Sequence, residues 1–211
     1  MLADALAETG AISHRFAADL ADPAAVAALV PAVIEKFGRA PDLLVNNAAL
    51  FAEGAWQELS AAALAEMMQV NLSAPVMLAK TLVAVSEGQR PAIVNIVDQR
   101  VAHPVPDQIA YSLSKSALWQ ATATLAVAFG NCARVNAVAP GLTLATEDYS
   151  AAQVERLAKR MPLRALPTPA QIADAVVYLA RAEAVTGQTI FVDGGAHLTP
   201  MGRDFVALER D

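Results

Sequence analysis

Short, nearly continuous apolar runs alternate along the chain with longer stretches in which apolar residues recur every three or four positions. The runs at 12–18, 42–47, 92–97, 134–138 and 189–192 have the length and pattern of strands buried on both faces in a parallel sheet. Between them the periodicity predicts helices, each with recognisable punctuation. Residues 2–9 read as the end of a helix stopped by Gly10. Asp22 as N-cap and Pro23 as first helical residue open a helix to Phe37, which Gly38 closes. Ser60 opens a long helix to about Ser86, interrupted near Pro75, and residues 109–129 form another. Ser150 with Gln153 has the spacing of a capping box, and Thr168-Pro169 opens a helix through Ala182. No linker, repeat or low-complexity stretch divides the 211 residues, so a single α/β domain with a parallel sheet is expected.

Composition narrows the classes of function. Hydrophobic residues make up 55% and charged residues 17%, enough for a large core. The formal net charge is −6 and no lysine or arginine stripe is present, which points away from nucleic acid as a partner. No apolar stretch reaches the roughly 18 residues of a membrane span, and no basic and apolar leader follows Met1, so a cytoplasmic protein is expected. The single Cys132 reads as a small packing residue suited to a reducing compartment. His14, His103 and His197 lack metal-ligand spacing, and no metal is expected. Trp56, Trp119, Met67 and Met68 read as packing residues.

Candidate chemistry gathers at the ends of the predicted strands, where parallel α/β sheets bind ligands. Asp19, Asn46-Asn47-Ala48-Ala49, Asp98 and Pro140-Gly141-Leu142-Thr143 all lie there. Tyr111 and Lys115 stand four residues apart, on one face of the helix that follows Asp98. An ammonium so placed would favour the phenolate and draw the tyrosine pKa down from about 10.

These pieces resemble the short-chain dehydrogenase/reductase family over the whole chain: Asp19-Leu20, Asn46-Asn-Ala-Ala49, Asn71 within Val70-Asn-Leu72, Tyr111 with Lys115, Arg134-Val-Asn136, Pro140-Gly141 and Val192-Asp-Gly-Gly195. The resemblance implies a Rossmann-like doubly wound parallel sheet and hydride transfer between a nicotinamide and a carbonyl, alcohol or imine. It assigns proton transfer to Tyr111, the nicotinamide ribose to Lys115, and a water relay to Asn71. Asp19 with Leu20 would face the adenine, Asn46 and Ala48 would line the adenosine side, and Pro140, Gly141 and Thr143 would also contact cofactor. Most members carry a serine thirteen residues before the tyrosine, where this chain has Asp98. In that respect it resembles the pteridine reductases, which carry aspartate there and an aromatic residue after the Asn-Asn-Ala turn, the place of Phe51. The implied reaction is NADPH-dependent reduction of a pterin or dihydrofolate-like ring, with NAD(H) open as cofactor, in a homotetramer. Reduction of another carbonyl substrate, or loss of activity at Asp98, stays open on the residues alone.

One family feature is missing from the sequence. No glycine-rich turn of the phosphate-cradling kind is present, and the chain enters the pattern partway along the helix after the second strand. The expectation is that the first strand, glycine-rich turn, first helix and second strand are absent. Either Met1 is an internal methionine of a longer protein, which the intact site residues favour, or the chain is a natural short form that binds cofactor poorly and acts as a non-catalytic binding or assembly subunit.

Overall fold

A computed structural model describes residues 6, 8–51, 56–145 and 149–209. The helix expected over 2–9 lies mostly outside them. Four parallel strands pair in chain order: β1 (Leu43–Asn46), β2 (Ala92–Ile96), β3 (Arg134–Pro140) and β4 (Thr189–Val192). Register places Leu44 opposite Ile93, Ile93 opposite Val135, and Val138 opposite Ile190.

Helices cover both faces. On one lie α1 (Pro23–Phe37), α2 (Ala61–Met68), α3 (Ala74–Val85) and α4 (Ile109–Phe129). Ile93 and Val135 point to that layer, where they meet Ala79, Leu82 and Ala126. Val94, Ile96 and Val138 point to the opposite side and pack on Ile172, Val176 and Leu179 of α6 (Pro169–Arg181). This alternation is what period-two side chains produce when both faces are covered. A further helix, α5 (Ala151–Arg160), packs through Leu157 and Met161 against Ala196 and Phe205.

Most punctuation falls where the sequence places it. Asp22 accepts from Ala24 N at 2.8 Å, and Gly38 closes α1 with φ of 72°. Ser150 accepts from Gln153 N, whose own amide donates to Leu208 O at 2.7 Å and holds the C-terminal segment. Thr168 and Gln171 form a reciprocal capping box.

Three expectations change. No strand forms over 12–18: the segment is irregular, and Ile12 is 90% exposed. A strand needs a neighbour for its backbone groups, and among the described residues the sheet ends at β1, which pairs only with β2. The long helix does not break at Pro75 but widens one turn earlier, into a π turn at Gln69–Ser73. Pro75 has no N–H for the carbonyl of Asn71 and its ring crowds that carbonyl, so the turn opens and Ala74 N reaches back to Gln69 O. The combined run Ala61–Val85 is, by length and composition, long and apolar enough to cross a membrane, contrary to the expectation that no stretch is. Here it buries Met67, Val70, Leu78 and Leu82 within the domain.

Candidate active site

The strand ends of β1, β2 and β3 open into one cavity of about 490 Å³, within the range of small-molecule sites. Asp98 follows β2 in extended backbone and caps the 3₁₀ turn Gln99–Val101, its Oδ1 accepting from Arg100 N at 2.9 Å. Its other oxygen accepts from the Tyr111 hydroxyl at 3.0 Å. Tyr111 stands on the first turn of α4, and one turn on, Lys115 donates from Nζ to Ile96 O at 2.7 Å. The ammonium lies 5.8 Å from the Tyr111 ring centroid.

Burial sets the electrostatics. Tyr111 is pushed well above its ordinary range, by burial first and then by the charge and hydrogen bond of Asp98, with Arg100 opposing. Lys115 is pushed down from 10.5 to about 8 by burial, with Asp98 opposing. The sequence predicts a lysine that depresses the tyrosine; in the structure Tyr111 moves up instead, because burial, and after it the charge of Asp98 that accepts the phenol's hydrogen, dominate.

Phe51 lines the same cavity, half exposed, with its ring edge-to-face on Tyr111 at 4.8 Å between centroids. Pro140, Gly141 and Thr143 line it as well. Gly141 has no room for a side chain, since a Cβ there would stand 2.8 Å from Asp193 Cα. At the end of β1 the two asparagines part. Asn46 turns into the core and donates to Asn95 Oδ1 at 2.8 Å, and Asn95 in turn donates to Thr122. Asn47 and Ala49, rather than Asn46 and Ala48, line the cavity.

The other expected residues stand outside that wall. Asn71 is buried in the π turn, where it exchanges hydrogen bonds with the backbone of Leu50 and donates to Ser114 Oγ at 2.9 Å. It therefore ties the Phe51 loop to α4. Asp19 caps a turn by accepting from Ala21 N, and Leu20 packs on Val26 and Leu78.

Sequence reasoning missed Arg100, Asp204, Tyr149 and Phe205, of which Arg100, Tyr149 and Phe205 line the cavity. Arg100 was findable as a charge two residues beyond Asp98. Asp204 carries no local signal, because only the fold brings the C-terminal segment back to the site. Among the described residues no group of three histidine, cysteine or acidic side chains could hold a metal ion.

A buried tyrosine and lysine one turn apart, at the strand ends of a parallel sheet, define a class, and comparison with known proteins agrees. The family described as enoyl-(acyl carrier protein) reductase matches residues 1–197. The chain belongs to the short-chain dehydrogenase/reductase family of oxidoreductases. Its structure is similar to that of FolM alternative dihydrofolate reductase 1 from Brucella suis in complex with NADP, with TM-score 0.84 and 38% identity over 94% of this chain and 79% of that one. By sequence it is 32% identical to glucose 1-dehydrogenase 2 of Bacillus subtilis over 87% of this chain and 74% of the enzyme. It is 33% identical to dihydromonapterin reductase of Citrobacter koseri over 74% of this chain and 66% of the enzyme.

The family implies a nicotinamide cofactor, and the residues present fit its reactive end. Asn47, Ala49, Pro140, Gly141 and Thr143 share with Tyr111 and Lys115 a cavity of about 490 Å³, a volume that admits a nicotinamide ring at the strand ends.

Proposed function

We propose that this protein is an NADPH-dependent reductase of a pterin or dihydrofolate-like ring, acting as one catalytic domain over residues 1–211. The observation that carries the reading is the direct hydrogen bond from Tyr111 to Asp98 beside the half-exposed ring of Phe51, in a cavity of ligand size. Similarity to the Brucella suis and Citrobacter koseri enzymes supports the substrate class, and the NADP of the former supports the cofactor.

Bound NADPH supplies a hydride to the carbon of a ring C=N bond. The chain's own residues orient the ring and deliver the matching proton to nitrogen. Phe51 offers an aromatic surface for stacking. Tyr111 gives up its hydroxyl hydrogen. As the phenol's hydrogen leaves for the ring nitrogen, a proton from solvent is relayed through the Asp98 carboxyl to the phenol oxygen, so that no phenolate is left 3.0 Å from it. A serine in place of Asp98 has no carboxyl through which to relay it. Lys115, anchored to Ile96 O, holds the nicotinamide ribose.

Steady-state assays with NADPH and either dihydrobiopterin or dihydrofolate, run beside simple ketones, test the assignment. Pterin turnover is expected; ketone turnover without it would sink the substrate class. Similarity to glucose 1-dehydrogenase 2 favours a second reading, a reductase of another carbonyl substrate. The family resemblance further points to a cytoplasmic homotetramer with no nucleic-acid or membrane partner, for which sedimentation should return four times the chain mass.

A further inference from the structure

Behind the Tyr111–Asp98 pair lies a buried cation that the reaction as described does not use. The Arg100 side chain is 10% exposed, and its Nη1 stands 3.5 Å from Asp98 Oδ2. The centre of the guanidinium lies 5.5 Å from the Tyr111 ring centroid and 5.9 Å from that of Phe51. Its Nη2 pairs with Asp204, whose side chain is fully buried. Arg100 therefore meets Asp98 twice, through its own backbone N–H on Oδ1 and through charge on Oδ2.

The partner is itself held. Asp204 N donates to Asp107 Oδ2 at 2.7 Å, and Arg203 Nε donates to both Asp107 oxygens at 3.0 and 2.9 Å. Phe205, next along, packs in the cluster with Leu157 and Met161. Among the described residues Arg100 Nε and Nη1 are buried without a hydrogen bond, so charge more than hydrogen bonding keeps the group in place. A guanidinium is expensive to bury unless its charge is answered.

We propose that Arg100, seated by Asp204, is the positioning residue of the proton-transferring pair: it keeps the Asp98 carboxyl aimed at the Tyr111 hydroxyl and answers the negative charge that builds as the phenol gives up its hydrogen. The inference rests on the reading of Tyr111 and Asp98 given above. Burial works against the charge on Arg100, but Asp98, Asp204, Tyr111 and Tyr149 outweigh it, and Arg100 in turn opposes the upward push on Tyr111. The other charged or titratable groups around the pair are Lys115 on α4, Asp107 in the loop before it, and His103 with Arg203 on the far side of the guanidinium.

Arg100→Met, Arg100→Lys and Asp204→Asn, assayed with NADPH and dihydrobiopterin across pH, test this. Reduction consumes a proton, so kcat falls as pH rises through the pair's apparent pKa. Removing a neighbouring cation strengthens the pair's hold on its proton, so Arg100→Met should lower kcat about tenfold and move that alkaline limb up by about one pH unit, with KM nearly unchanged. Arg100→Lys should recover most of both. Asp204→Asn unseats Arg100 and should lower kcat more weakly at unchanged KM, without moving the limb up, because the Asp204 charge itself raises Tyr111. That loss decides the matter if Arg100→Met does not fold, and the upward limb shift is expected of Arg100→Met alone. A raised KM at unchanged kcat would mean that Arg100 binds substrate instead, and a limb that stays in place in Arg100→Met would equally overturn the proposal. If the wild type does not reduce dihydrobiopterin, the pterin reading fails on its own. The crystal structure of Arg100→Met then reads the inference directly: the Asp98 carboxyl should turn away from the Tyr111 hydroxyl, and a pair still hydrogen-bonded at 3.0 Å would refute it.

Discussion

Tyr111 and Lys115 share a face of α4 and a buried setting, and burial moves the two in opposite directions. The phenol holds its hydrogen more firmly and the ammonium more loosely, so both drift toward their neutral forms. If Tyr111 is the donor to substrate, Tyr111→Phe should lower kcat by about a hundredfold or more while leaving the fold intact, as circular dichroism and turnover together would show. Lys115 makes a prediction about stability. Its folded pKa of about 8 lies below the ordinary 10.5, so between those values the unfolded chain binds the extra proton. Stability due to this group therefore rises with pH across that window and is lost as pH falls through about 8. Denaturant midpoints of the wild type minus those of Lys115→Met should climb between pH 8 and 10.5, by up to roughly 2–3 kcal/mol in free energy. A flat difference would mean that the buried ammonium is not under strain.

At the scale of elements, β2, β3, α1, α4 and α6 were legible, because each has the period and the end signals of its type. Tyr111, Lys115, Asp98 and Phe51 were legible for the same reason: they sit at fixed offsets from those elements and all line one cavity. What failed depended on neighbours. The run at 12–18 has a strand's composition but, among the described residues, no partner to pair with. The β1 pattern also does not reveal that Asn46 turns inward to Asn95 while Asn47 faces the cavity, since successive strand side chains take opposite sides. Asp204 is invisible because its role is made by a contact across more than a hundred residues. The turn after β4 shows how strictly an element end is specified. Gly194 has φ of 67°, and a Cβ there would lie 2.4 Å from Ala165 O, a backbone atom. Gly194→Ala should cost about 2–4 kcal/mol, measured by chemical denaturation. A loss below 1 kcal/mol would show that this loop can shift to make room.

Across the whole molecule, stability is concentrated at the middle of the sheet. Ile93 on β2 is fully buried, whereas Leu43 on the edge strand β1 is 36% exposed. Ile93→Ala should lose about 2–5 kcal/mol and Leu43→Ala less than about 1.5 kcal/mol. Equal losses would imply that β1 is covered in solution by something besides the described residues. The π turn at Gln69–Ser73 carries a different consequence, one for evolutionary change in chain length. Its one extra residue is absorbed by the wider turn, so removing a single residue there would restore a regular α-helix and keep Ala74, Leu78 and Leu82 facing the core. The bonds that Asn71 makes from that turn to Leu50 and Ser114 would be displaced. A deletion there would therefore spare the core and release the active-site loop.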